Sequence, residues 1–336
     1  PKLQTRIEGK ILCDILPYFS FMIGKYASME WMIVKYLEEW IKRYPEGELS
    51  IVGYNINAAF MAAMKTIKSR YPKVQTALII TDMIEDAYNF KSNTTFFKRI
   101  QISLHKRKIY SAYQAIDKYI LLSEQMRDRI PNCKDNYIVV EGIYTHCGDI
   151  PDIDRKKIVF YSGALDTYVN IVEMIEAFKK INRDDYKLVI CGGGPLAKYV
   201  RKEAENNSNI MFLGSISRKE VLEWQRKSSI LINPRQPSEI TKYSFPSKTM
   251  EYFASGTPVL MYKLQGIPEE YYLYCYTIEG SSVDDFKECL RNVLSIEEQE
   301  RTALGNKAMK FILTEKTGTG DIVKRNKWYN WLERIS

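Results

Sequence analysis

Short, nearly continuous apolar runs alternate with segments of helical periodicity along most of the chain. Residues 49–54 (LSIVGY), 77–81 (ALIIT), 119–123 (YILLS) and 137–140 (YIVV) read as strands, and 57–70 and 96–115 as helices between them. A polar stretch with a proline, 149–157 (DIPDIDRKK), reads as an interdomain linker. A second series follows, with strands at 158–161, 187–191, 210–213, 230–232 and 259–260, and helices at 168–180, 196–205, 218–227 and 247–254. Uninterrupted apolar strands are those of a parallel sheet covered on both faces. The alternation predicts an α/β fold of two Rossmann-like domains, each a doubly wound sheet, facing across a cleft. The expected boundaries are 1–150, 151–318, and a closing segment 319–336 read as a helix carrying Trp328 and Trp331. The first domain shows no opening strand with a glycine-rich turn, so it either departs from type or lacks its first strands.

Composition narrows the class only a little. Six cysteines (Cys13, Cys133, Cys147, Cys191, Cys275, Cys289) show no C-x-x-C spacing, and with only two histidines, His105 and His146, no metal site is expected. Scattered thiols fit a reducing, cytoplasmic setting. The longest apolar run, 15–24, is short of a membrane span and holds Pro17. No targeting segment is read at the start, although the sequence begins at Pro1 rather than Met, so one upstream would not be seen. The net charge of +8 suits phosphates or an anionic membrane, and no nucleic-acid motif accompanies it. Residues 96–108 (FFKRIQISLHKRK) mix aromatic and basic side chains at helical spacing. They fit either a helix on an anionic membrane surface or a packed helix with a solvated basic face. His105, in that run, reads as a solvated face residue.

Candidate chemistry concentrates in the second half. Gly163 in YSGAL and Gly192, Gly193 and Gly194 in CGGGP each follow a strand and precede a helix. Such glycines either make a tight turn or let backbone amides approach a phosphate at a helix N-terminus. Residues 233–259 (NPRQPSEITKYSFPSKTMEYFASGTPV) place Arg235 and Lys242 ahead of a cap-like Ser244-Phe245-Pro246-Ser247, with Lys248 and Glu251 on the helix that follows. Free amides and cations there suit a diphosphate, and a carboxylate one turn inside can accept hydrogen bonds from a ribose diol. In the first half, Asp82 and Glu85 lie at and after the end of a strand. They could orient or deprotonate an acceptor hydroxyl, or serve as helix N-terminal carboxylates. His146 is a weaker candidate near the linker.

SFPSKTMEYFASGTPV at 244–259 resembles the nucleotide-binding signature of glycosyltransferase family 4, E-x7-E followed by a small-residue glycine turn and T-P-V. YSGAL, CGGGP, NIMFLGSI (209–216) and LINPR (231–235) stand in family order, and the first half is loosely similar to bacterial polysaccharide glycosyltransferases. The resemblance implies a GT-B fold, with Glu251 on the donor ribose, Gly163 facing the diphosphate and the Ile216 backbone meeting the base. Two positions depart from the pattern: Tyr243 stands where the first glutamate falls, with Glu239 four residues out of register, and Ala164 replaces the usual arginine. Arg235, Lys242 and Lys248 are candidates to supply that charge.

The resemblance further implies retaining transfer of a sugar from a nucleoside diphosphate sugar, UDP-sugar favoured, to a hydroxyl of a glycan or lipid-linked acceptor in surface polysaccharide synthesis. It implies no cofactor and no essential metal. The expected location is cytoplasmic, with the inner membrane face as an option. Alternative readings are a sugar-nucleotide epimerase of the same fold, and a non-catalytic partner subunit that keeps it.

Overall fold

The structure is a computed structural model, and it describes residues 4–8, 11–16, 18, 24–83, 96–145 and 154–317. They fall into two compact units, dividing after Val140. Glu85, His146, most of the expected linker and the expected closing helix lie outside the described residues.

The first unit opens with an antiparallel pair, β1 (Gln4–Glu8) and β2 (Ile11–Ile15), followed by α1 (Lys25–Arg43). None of these three elements follows from the strand–helix reading of the sequence. A parallel sheet then forms from β3 (Ser50–Tyr54), β4 (Gln75–Ile80), β5 (Lys118–Leu121) and β6 (Tyr137–Val139), in that spatial order. Between β3 and β4 runs α2 (Ala58–Arg70), capped by Asn57, whose Oδ1 accepts from the Ala59 and Phe60 amides. Met61, Met64 and Ile67 of α2 are fully buried, while Ala59 and Ala63 let it pack closely. Before β5 runs α3 (Phe96–Ala112), which packs on α2. The strand order does not reverse, so among the described residues this sheet is singly wound rather than doubly wound as expected. Right-handed crossovers in one direction put the described helices α2 and α3 on one face, where they pack on each other. His105 is not a solvated face residue either: its ring meets Tyr26 edge-on at 4.1 Å between centroids, and burial pushes its pKa down, with Lys108 adding to the shift.

In the second unit the strands are β7 (Lys156–Ser162), β8 (Lys187–Cys191), β9 (Ile210–Gly214), β10 (Ser228–Asn233), β11 (Val259–Tyr262) and β12 (Tyr276–Ile278). All are parallel, in the spatial order β12-β11-β10-β7-β8-β9. That is the doubly wound dinucleotide-type order, reversing between β7 and β10. The strands alternate with α4 (Ile171–Lys180), α5 (Ala197–Asn206), α6 (Arg218–Lys227), α7 (Ser247–Ala254) and α8 (Val283–Ser295), and α9 (Glu298–Glu315) closes the described chain. α4 starts three residues later than its periodicity suggests because Asn170 takes a left-handed φ of 59°, which breaks a 3-10 turn from the helix. The capping box Ser282–Asp285 starts α8. Gly305 on α9 lets that helix meet the Gly256–Pro258 backbone, where a Cβ would stand 2.2 Å from the Gly256 carbonyl.

Lys316, just beyond α9, is buried with its Nζ 2.5 Å from Glu141 and 2.6 Å from Glu270. Burial alone would lower its pKa, but the two carboxylates hold it above the ordinary lysine value. Among the described residues no helix is long and apolar enough to cross a membrane.

Candidate nucleotide site

Open doubly wound sheets take ligands beyond the carboxyl ends of the strands where the order reverses. Here those ends are Ser162 of β7 and Asn233 of β10, followed by Gly163 and by Pro234-Arg235. The glycines lock two loops together at this edge. The Gly163 amide donates to the Cys191 carbonyl at 3.0 Å, and the Leu165 amide to the Gly193 carbonyl at 2.9 Å. Gly192 has φ 141° and Gly194 φ 152°. A Cβ on Gly192 would lie 1.8 Å from the Gly163 carbonyl oxygen, and one on Gly194 would lie 2.4 Å from that of Leu165. Both positions therefore exclude side chains on two counts, conformation and space. Gly193 differs, since a Cβ there meets only the Ser215 hydroxyl at 3.2 Å.

α7 begins beside these loops. Its N-cap is Pro246, which offers no side-chain cap; the Thr249 amide bonds the Pro246 carbonyl at 2.9 Å, and those of Ser247 and Lys248 are left for a ligand or solvent. Glu251 Oε1 accepts from Lys248 Nζ and from Gln225 Nε2, each at 2.7 Å. Its Oε2 carries no hydrogen bond among the described residues, and the side chain is 18% exposed. On the adjoining turn Tyr252 is buried, accepting from the Ser162 amide at 2.9 Å and donating to the Ser162 carbonyl at 3.1 Å. Burial pushes the Tyr252 phenol pKa far up, so it stays a neutral clamp that ties α7 to the end of β7.

The predicted cations separate. Lys248 is ion-paired to Glu251. Arg235 and Lys242 have no carboxylate partner among the described residues and instead face aromatic rings, Arg235 at 5.4 Å from the Tyr168 centroid and Lys242 at 5.3 Å from that of Tyr243. The Arg235 amide leans on Asn233 Oδ1 at 3.5 Å, and Asn233 Nδ2 is buried without a partner among the described residues. Ser244 Oγ is likewise buried without a partner among the described residues, and Ser247 is exposed at the start of α7. Phe245 turns its ring into the core, edge-on to Tyr271 at 5.3 Å, so only its backbone faces the loop. Burial raises the Cys191 thiol's pKa, and the Ile216 backbone and Lys248 offset part of the rise. Gly266 backs the 241–244 segment so closely that a Cβ would stand 2.1 Å from the Ser244 carbonyl.

Gln225, Tyr168, Tyr252, Asn233 and Gly266 did not stand out in the sequence. Gln225 and Tyr252 lie within helices whose periodicity says only that a position faces inward. Asn233 carries a weak signal, a polar residue closing an apolar strand. In the first unit, the exposed Asp82 stands at the end of β4, accepting from Thr81 Oγ1 at 3.1 Å.

The strand order makes the second unit a Rossmann-like domain, and this edge is its candidate nucleotide site. Residues 149–311, just under half of the chain and most of the second unit, match the family model Glycosyl transferases group 1. Solved structures share the fold. A Staphylococcus aureus TarM variant in complex with fondaparinux, alpha-GlcNAc-glycerol and UDP aligns at TM-score 0.61 and 16% identity over 89% of this chain and 58% of that one. Sucrose-phosphate synthase from Thermosynechococcus elongatus aligns at TM-score 0.66 and 13% identity over 100% and 86%. Anabaena HepE in complex with UDP aligns at TM-score 0.62 and 9% identity over 93% and 84%. The chain thus spans under three fifths of the TarM chain. No curated protein gives a significant match.

Proposed function

We propose that the second unit binds the nucleotide of a nucleoside diphosphate sugar, and that the protein transfers the sugar with retention to a hydroxyl of a glycan or lipid-linked acceptor. One observation carries the reading. Arg235, free of carboxylates among the described residues, shares the carboxyl edge of β7 and β10 with the uncapped amides of α7 and the half-satisfied carboxylate of Glu251. In this reading Glu251 accepts the ribose hydroxyls through Oε2. Arg235, with Lys242 and the amides of Ser247 and Lys248 beside the Gly163 turn, receives the charge that develops on the diphosphate as the anomeric C–O bond breaks. The acceptor hydroxyl then bonds to the anomeric carbon and releases its proton, with Asp82 and Glu85 the candidate bases in the first unit. The leaving group needs no metal if these cations and amides suffice. UDP is favoured because TarM and HepE are recorded with it. With Tyr243 buried at the first-glutamate position, the sugar hydroxyls must be met by other groups.

Incubation with a panel of nucleotide sugars, with and without glycan acceptors, tests the reaction. Acceptor-dependent release of nucleoside diphosphate together with a glycosylated product is the expected result. A donor changed without acceptor identifies an epimerase, and no turnover of any donor favours the non-catalytic partner. Arg235→Ala should weaken UDP binding by about tenfold, the share of one charge-assisted contact, while uridine affinity changes less than twofold. Equal losses for both ligands, read by calorimetry, contradict the diphosphate role.

Membrane attachment is proposed through α3. Ile100 and Leu104 are 45% and 57% exposed one turn apart, beside the exposed Arg99 and Arg107. Sedimentation with anionic vesicles should show binding that falls with salt and with the pair Arg99→Glu and Arg107→Glu. Binding indifferent to both excludes this face.

A further inference from the structure

We propose that Gln225 of α6 is a positioning residue for the nucleotide, holding the Glu251 carboxylate at the angle that leaves Oε2 open to the ribose; this rests on the donor-site reading above. Gln225 is fully buried, yet its side chain ends in the site. Its Nε2 donates to Glu251 Oε1 at 2.7 Å and reaches Ser162 Oγ at 3.5 Å, joining α6, α7 and the end of β7.

The amide's orientation is fixed by chemistry. An ionised carboxylate only accepts, so the NH₂ end must face Glu251. That leaves Gln225 Oε1 buried without a partner among the described residues. A buried amide oxygen in that state is costly, and a purely structural glutamine would be better placed where both ends are paired. α6 is in turn held rigid around it. Trp224 stacks on Phe160 with ring centroids 6.4 Å apart, and the Gln225 carbonyl accepts from Thr257 Oγ1 at 2.8 Å. Without the amide, Lys248 is the remaining described partner of Glu251, and its side chain is 39% exposed, so nothing rigid would hold the carboxylate. A preorganised ligand contact needs a locked supporting shell of this kind.

Calorimetric titration of UDP into the full chain separates this role from a structural one. Gln225→Met keeps the volume and removes the donor. Its Kd should rise about tenfold, the share of one hydrogen bond to a charged group, with stoichiometry unchanged. Gln225→Glu, which sets a second carboxylate against Glu251, should bind more weakly still. In a Glu251→Ala background, Gln225→Met should change Kd less than twofold further, since the two act as one unit. A structural residue would instead lower the stoichiometry of competent protein and leave Kd alone, and that result overturns the proposal. Wild-type Kd in both Gln225 variants, alongside a weakened Glu251→Ala, also overturns it and leaves the donor-site reading standing. Wild-type Kd in Glu251→Ala removes that reading and the proposal with it.

Discussion

Gly192→Ala is expected to destabilise the second unit by about 3 kcal/mol or more, from strained backbone together with overpacking. The new methyl would stand 1.8 Å from the Gly163 carbonyl oxygen, at a backbone φ of 141° that L-residues rarely adopt. A flexible side chain could swing aside, but here the obstacle is main chain. The Gly163 carbonyl belongs to a loop pinned by the hydrogen bond from the Gly163 amide to the Cys191 carbonyl, so relief requires the two loops to part. Parting them moves the Gly163 turn from the end of β7, and nucleotide binding should fail along with stability. The control is Gly193→Ala, which meets one hydroxyl at 3.2 Å and should cost less than about 1 kcal/mol. Denaturant unfolding of both variants checks the contrast. Equal midpoints would mean that the loops are not locked as described.

Glu251→Ala is expected to weaken nucleoside diphosphate binding roughly ten- to hundredfold, the equivalent of about 1.5–3 kcal/mol for hydrogen bonds to a charged group. The loss should be seen with uridine as well as UDP, because the ribose is common to both. The structure adds a second consequence. Glu251 is the partner of the buried Gln225 Nε2, so alanine also strands a buried donor at a cost of about 1–3 kcal/mol in stability. Glu251→Gln separates the two effects: its amide oxygen still accepts from Gln225, while the charge offered to the ribose is gone. Calorimetry with uridine and UDP, beside thermal melts of both variants, reads them apart. Undiminished uridine affinity in both would remove Glu251 from the ribose.

Much of the second unit was legible in the sequence because its signals are local. Apolar runs such as KLVIC at β8 are buried on both faces, and CGGGP marks a turn that only glycines can make. The resemblance placed Glu251 and Gly163 at the edge where the structure brings them together. What was not legible depends on which segments meet. Lys248 stands as a candidate diphosphate cation until its pairing with Glu251 is seen, and Phe245 as a site residue until its ring is found on Tyr271. Gln225 reads as one more polar residue on a helix, since nothing local tells that α6 delivers it to the end of β7. The first unit is less typical. Its sheet keeps one winding direction, and its opening hairpin and α1 lie outside the alternation of apolar strand and helix that identified the rest. α1 did carry a periodic signal, with Val34 and Ile41 buried one heptad apart, but strands at its flanks gave it no βαβ context.

The central claim is that the carboxyl edge of β7 and β10 holds a nucleoside diphosphate. Titration of the full chain with UDP and GDP, followed by calorimetry and by thermal melting, tests it most directly. The account predicts saturable one-site binding of at least one of them, UDP favoured. At a hundredfold excess over Kd the folded state gains about 2.7 kcal/mol, which raises the Tm measurably. No heat and no shift in Tm with either nucleotide at millimolar concentration would contradict it.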